Sequence, residues 1–198
     1  IFFNLFIKIN INLYCSKYSI KKNRNHFFIF QNVYNLIVEK IYMKIKKNLE
    51  PIVSGVSAAM VIGILAFLTL ETSAGVWLMF SFGATVFIVF VLYELETAQP
   101  KNIFFGHLIS IFIGIIFNET IGLSFYSLGL SVGIAVMLMV YFKVMHPPAA
   151  SNPLVALFMD LSFDFVLFPV VTGTILIILL SIFINKIILK RNYPKKWF

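Results

Sequence analysis

The chain has 198 residues, 60% of them hydrophobic and 12% charged, with a formal net charge of +8. A soluble domain carries roughly 25% charged residues to solvate its surface, so this composition, at a mean hydropathy of +0.94, excludes a water-exposed globule and requires lipid-facing helices. The positive charge does not indicate nucleic acid, because its carriers flank the apolar region as topology signals do.

Residues 1–42 contain no Ala, Gly, Pro, Thr or Asp and are dominated by Ile, Asn, Phe, Lys and Tyr, the residues of AT-rich codons. They are read as a doubtful N-terminal extension, translated upstream sequence ahead of a start at Met43. The rival reading is an amphipathic or targeting extension, although its apolar runs are too short for a signal h-region. No function is placed on His26 or Cys15 there. A single cysteine excludes an internal disulfide framework or a four-cysteine metal site. Residues 43–198 form the transmembrane domain, and Lys40, Lys44, Lys46 and Lys47 precede its apolar region.

A helix crossing a hydrocarbon core of about 30 Å needs about 20 apolar residues. Five stretches qualify, at 52–70, 76–95, 103–117, 126–144 and 165–184. The Pro-interrupted segment 146–160 supplies a sixth, short and broken crossing. With six, Glu71, Glu119, Asp160 and Asp164 fall on one side. Lys101, Lys143, the basic start and the basic end (Lys186, Lys190, Arg191, Lys195, Lys196) fall on the other, which the positive-inside tendency makes cytoplasmic. Five crossings with a re-entrant hairpin is the alternative. Six segments also divide into two three-helix halves, which would be inverted as in many secondary transporters. Tyr193 and Trp197 suit an interfacial anchor.

The sharpest chemical feature is His146-Pro147-Pro148. Two prolines end the preceding helix and suit the start of another. Ala149, Ala150, Ser151 and Asn152 would then offer backbone N–H groups to an anion, with His146 as a further donor or a charge. Pro153 limits that turn, and a ligand-free interhelical turn is the competing account. Upstream, Lys101 and Asn102 stand at the mouth of the third span and His107 about a turn inside it. A histidine within a membrane helix tends to face the bundle interior or a watery cavity, or it serves as a packing hydrogen bond. Gly83 and Thr85 could line a narrow path, though small residues also let helices approach. Nothing has the spacing of an enzyme site, a phosphate loop or a metal centre, so no catalytic residue, metal or cofactor is expected.

Phe82-Gly-Ala, Gln99-Pro-Lys-Asn, Gly106-His107, His146-Pro-Pro-Ala and Tyr193-Pro194 with Trp197 together resemble the HPP family of integral membrane proteins, over about residues 51–197. Its members usually have Arg where this chain has Lys101, and HPPAGA where it has HPPAAS. Lys keeps the charge but loses the planar fork. Some plastid and cyanobacterial members transport nitrite, and some bacterial members carry C-terminal CBS domains. The resemblance implies an all-α polytopic bundle, multi-pass in a bacterial inner membrane with cytoplasmic termini. Together with the residue pattern it points to a transporter or channel for a small solute, first a small anion such as nitrite, held by the helix start at residues 148–152 and by His146 and attracted by Lys101. A non-transporting scaffold or sensor is the alternative. The partners expected are the lipid bilayer, the anion and, at this length, a second copy of the chain.

Overall fold

A computed structural model describes residues 24–73 and 75–196; the expected anchor Trp197 and the start of the extension lie outside them. The chain divides into two compact units, Ile1–Leu49 and Glu50–Phe198, and helix α1, Arg24–Leu70, runs through residues of both. Within the second unit follow α2 (Ser81–Val91), α3 (Pro100–Thr120), α4 (Phe125–Tyr141) and α5 (Asn152–Phe158). A last helical stretch covers Val166–Ile188, kinked at Phe168 (φ −124°, ψ 117°) before Pro169, with α6 (Thr172–Ile182) between two wider π-turned ends. Among the described residues there is no strand.

The helix starts have local causes. Thr69 on α1 turns back to accept the backbone N–H of Trp77 and Leu78, both at 3.0 Å. The stretch they tether, 75–79, is not helical, and α2 begins at Ser81 rather than near residue 76 as expected. α3 has Pro100 in its first turn, where a missing N–H costs nothing. α4 opens with a reciprocal pair in which the Ser124 and Ser127 side chains each serve the other's backbone N–H, the arrangement of a capping box.

α3 is the packing centre. Its buried residues are Asn102 and Ile103, Gly106 and His107, Ser110 and Ile111, Gly114 and Ile115, one stripe at four-residue spacing. The segment 147–158 runs alongside it in the same direction: Asn102 donates to the Met145 carbonyl at 3.0 Å, and Asn118 donates to Asp160 at 2.8 Å. The short segment therefore links the two ends that α3 links. It does so as a 3-10 turn, Pro147–Ser151, followed by two turns of α-helix. α4 buries only Ser127, Ser131, Ala135 and Met139, a narrow face.

Polarity is inverted relative to a soluble protein. Phe80, Tyr141, Leu130 and Leu179 are exposed, while Thr85, His107, Ser110, His146, Asn152 and Asn185 are buried. The apolar exterior belongs in lipid, and the buried polar groups must pair internally. This is a polytopic transmembrane helix bundle.

One end gathers the basic residues. Tyr193 donates to the Ala98 carbonyl at 2.9 Å, and the Lys195 backbone N–H donates to Gln99 Oε1 at 2.8 Å, which seats the C-terminal stretch beside Lys101. Burial pushes the Tyr193 phenol up from its ordinary value, so it stays a neutral donor. Arg191, with 8% of its side chain exposed, meets Glu50 at 3.4 Å and donates to the Phe90 carbonyl and Asn185. Its guanidinium also lies 4.5 Å from the Tyr93 ring centroid. Arg191→Ala is expected to lower thermal stability by about 2 kcal/mol, through lost charged hydrogen bonds and ring contact. Arg191→Lys should recover part of this, since one ammonium cannot reproduce the fork. Full recovery by Lys in detergent melts would contradict this account.

Candidate functional site

His107 projects from the buried stripe of α3, Thr85 from the middle of α2, and His146 from the turn that the two prolines impose after α4. All three are at most 1% exposed. They meet at one atom: Thr85 Oγ1 lies 3.0 Å from His107 Nε2 and 3.0 Å from His146 Nε2. The two rings are 5.0 Å apart between centroids, and Phe82 stands edge-on to His107 at 5.3 Å.

Hydrogen positions follow from the two ends of this chain. At one end His146 Nδ1 is 2.8 Å from the Thr97 carbonyl, which can only accept, so Nδ1 carries a proton. With both imidazoles neutral, His146 Nε2 then accepts from Thr85, and Thr85 accepts from His107 Nε2. That leaves His107 Nδ1 an acceptor, which the Asn152 amide nitrogen serves at 3.0 Å. The other end agrees, because the same nitrogen also faces the His107 carbonyl at 3.3 Å. A single direction therefore runs through Asn152, His107, Thr85, His146 and the Thr97 carbonyl.

Close backbone approach makes the convergence possible. A Cβ at Gly106 would lie 2.8 Å from the His146 Cβ and 3.1 Å from the Val144 carbonyl oxygen. A Cβ at Gly114 would lie 2.6 Å from the Pro153 Cα and 2.8 Å from the Ala156 Cβ. Both glycines admit the 146–158 segment against α3, as small residues do in lipid. Ser110, between them, donates to the Ala149 carbonyl.

Of the residues singled out in the sequence, Thr85, His107, His146 and Asn152 come together. Asn102 supports them through the Met145 carbonyl, and Pro148 and Ala149 are buried in the turn. Pro147 is exposed, and Ala150 and Ser151 are half-buried. Gly83 does not join them: it is exposed and lines a separate cavity of about 330 Å³ with Ile62, Thr69 and Phe165. Lys101 is half-buried and makes no hydrogen bond or ion pair among the described residues. Six residues along α3 from His107, it lies about 9 Å further toward the basic end and on another face.

The expected bare helix start is also different. The Ala149 N–H bonds to the His146 carbonyl, the Asn152 N–H to the Ala149 carbonyl, and the Ser151 hydroxyl to the Pro148 carbonyl. The 3-10 turn uses these donors itself, because its tighter i to i+3 pairing closes where an α-helix would leave them free.

Sequence reasoning missed Ser81. Its hydroxyl is buried and has no partner, and it lines a groove of about 520 Å³ with Ala84, Pro147, Pro148 and Ser151. Ser81 precedes Thr85 by one helical turn, on the same face, and the Thr85 hydroxyl is also 3.1 Å from the Ser81 carbonyl. The i, i+4 pairing of two hydroxyl residues in an apolar helix was the available signal. Among the described residues no three His, Cys, Asp or Glu side chains gather as a metal site.

Residues 44–194 match the family described as HPP, transmembrane region. Two transmembrane proteins of Dictyostelium discoideum are similar to the chain. One is 28% identical over 126 residues, 59% of this chain and 44% of the relative. The other is 26% identical over 130 residues, 62% and 42% respectively. The chain thus spans less than half the length of these relatives. No solved structure matches it.

Proposed function

The chain belongs to the HPP transmembrane family, and from that premise we propose that it moves a small solute across the bilayer, with a small anion such as nitrite as the first substrate to test. The observation that carries this reading is a buried polar chain in an otherwise apolar bundle, bordered by an unpartnered donor, the Ser81 hydroxyl, at a groove. Polar groups at membrane depth are costly and tend to mark solute or proton pathways. In this reading the anion enters the groove between α2 and residues 147–159 and takes the Ser81 hydrogen bond. Lys101, at the basic end, raises the local anion concentration. That end faces the cytoplasm by the positive-inside rule.

Nitrite uptake into liposomes carrying the full chain tests this. Lys101→Ala is expected to lower the initial rate by roughly threefold, more at low salt than at high, as a steering charge in contact with water does. An unchanged rate at low salt would remove Lys101 from the pathway.

A membrane scaffold is the second reading, favoured by the close packing at Gly106 and Gly114 and by partners on all four ring nitrogens. It predicts no nitrite flux above protein-free liposomes, with changes at these residues altering assembly alone.

A further inference from the structure

We propose that His107, Thr85 and His146 form a proton-binding site that loads one proton on His146 Nε2 when an anion occupies the adjacent groove, so that transport is proton-linked. This rests on the transport reading for its role, while the proton site itself stands on geometry.

Thr85 Oγ1 has three neighbours: His107 Nε2 at 3.0 Å, His146 Nε2 at 3.0 Å and the Ser81 carbonyl oxygen at 3.1 Å. A hydroxyl has one proton to give and two lone pairs to receive, so three neighbours saturate it. With His146 neutral, the hydroxyl donates to His146 Nε2 and accepts from His107. With His146 protonated, both imidazoles donate to Thr85, and the hydroxyl proton turns to the Ser81 carbonyl. His146 Nδ1 keeps the Thr97 carbonyl, and His107 Nδ1 keeps the Asn152 amide. Both states give all four ring nitrogens and the Thr85 hydroxyl proton a partner with no heavy atom moved. A purely structural histidine needs only one such pattern.

The charge requires a partner. From α3, His146 faces His107 and the Gly106 backbone; from α2 it faces Thr85; from the turn before α3 it faces the Thr97 carbonyl. No Asp, Glu, Lys or Arg belongs to the buried set of described residues. Glu94, Glu96 and Lys143 are exposed. A lone imidazolium there is costly in apolar surroundings. An anion on the Ser81 hydroxyl, one turn from Thr85, offsets that charge, and the proton in turn stabilises the anion. Each ligand raises the other's affinity by the same factor, which makes the loaded site electroneutral.

The test is nitrogen-15 NMR of histidine-labelled full-length protein in lipid nanodiscs, with the His146 signal identified as the one lost in His146→Gln. With sodium nitrite present, His146 is expected to pass from a neutral ring protonated at Nδ1 to a doubly protonated ring as pH falls between about 8 and 5, and without it only at lower pH. Sodium nitrite should move that passage to higher pH, and sodium gluconate should not. Thr85→Ser keeps the behaviour. Thr85→Val, which lacks the rotating hydroxyl, should suppress the doubly protonated form by about tenfold, the worth of one hydrogen bond to a charged group. A His146 ring that stays neutral with and without nitrite, or that titrates alike in Thr85→Val, overturns the proposal. In liposomes, nitrite flux that ignores an imposed pH gradient overturns proton linkage and leaves transport standing. A titrating, nitrite-responsive His146 without flux keeps the proton site and refutes the transport reading.

Discussion

Replacing His146 by alanine is expected to abolish nitrite flux and to lower thermal stability in detergent by about 3 kcal/mol. The ring bridges two elements, with Nε2 on Thr85 of α2 and Nδ1 on the Thr97 carbonyl. Its removal leaves that carbonyl without this donor and opens a void where the ring now lies beside Thr85 and the His107 ring. An unmade buried hydrogen bond costs about 1–3 kcal/mol, and a void of ring size adds to it. His146→Gln separates the two effects. A glutamine fills most of the space and can keep one hydrogen bond, so stability should return in large part, but it cannot hold a proton. Flux restored by glutamine would mean that the imidazole only packs.

Gly114→Val is the second large effect: a loss of about 3 kcal/mol with separation of α3 from α5, read as aggregation on size-exclusion chromatography and a lower melting temperature. The added atoms would meet the Pro153 Cα and the Ala156 Cβ, a backbone atom and a methyl that have no rotamer by which to retreat. Overpacking of this kind costs about 1–3 kcal/mol even where side chains can adjust. Asn152 adjoins Pro153, so the His107–Asn152 hydrogen bond should be lost with it. Gly133→Val on α4 is the control, because a Cβ there meets nothing within 4 Å. Equal melting temperatures for the two variants would show that helix propensity, not the α3–α5 contact, governs the result.

The sequence was most informative where one residue type has one physical consequence. The apolar runs specified helices in lipid, because a bilayer admits no unpaired backbone. Pro147 and Pro148 specified a break after α4, since neither can donate in a helix. The basic residues pointed to one end, and the hydrogen bonds of Asn102, Tyr193 and Lys195 gather Lys101, Lys143 and the C-terminal stretch there. The four-residue series Asn102, Gly106, Ser110 and Gly114 is also legible in the sequence as the packing face of α3.

Other features depended on contacts between residues far apart in the chain. Thr85 and His107 are 22 residues apart, and Thr85 and His146 are 61 apart. Periodicity says which face of a helix a side chain occupies but not which helix it meets. The placement of Lys101 and His146 near one end left open which residues of the two segments meet; the structure pairs His146 with His107, since Gly106 admits the turn beside it. The non-helical stretch before α2 was likewise hidden, because it is tethered to a different helix, whose Thr69 accepts the Trp77 and Leu78 N–H groups. By itself, then, the sequence determined the medium, the helices, their breaks and the polarity of the two ends, all consequences of local composition. Only the tertiary structure decided that two histidines share one threonine hydroxyl, because that depends on how closely three separate segments pack.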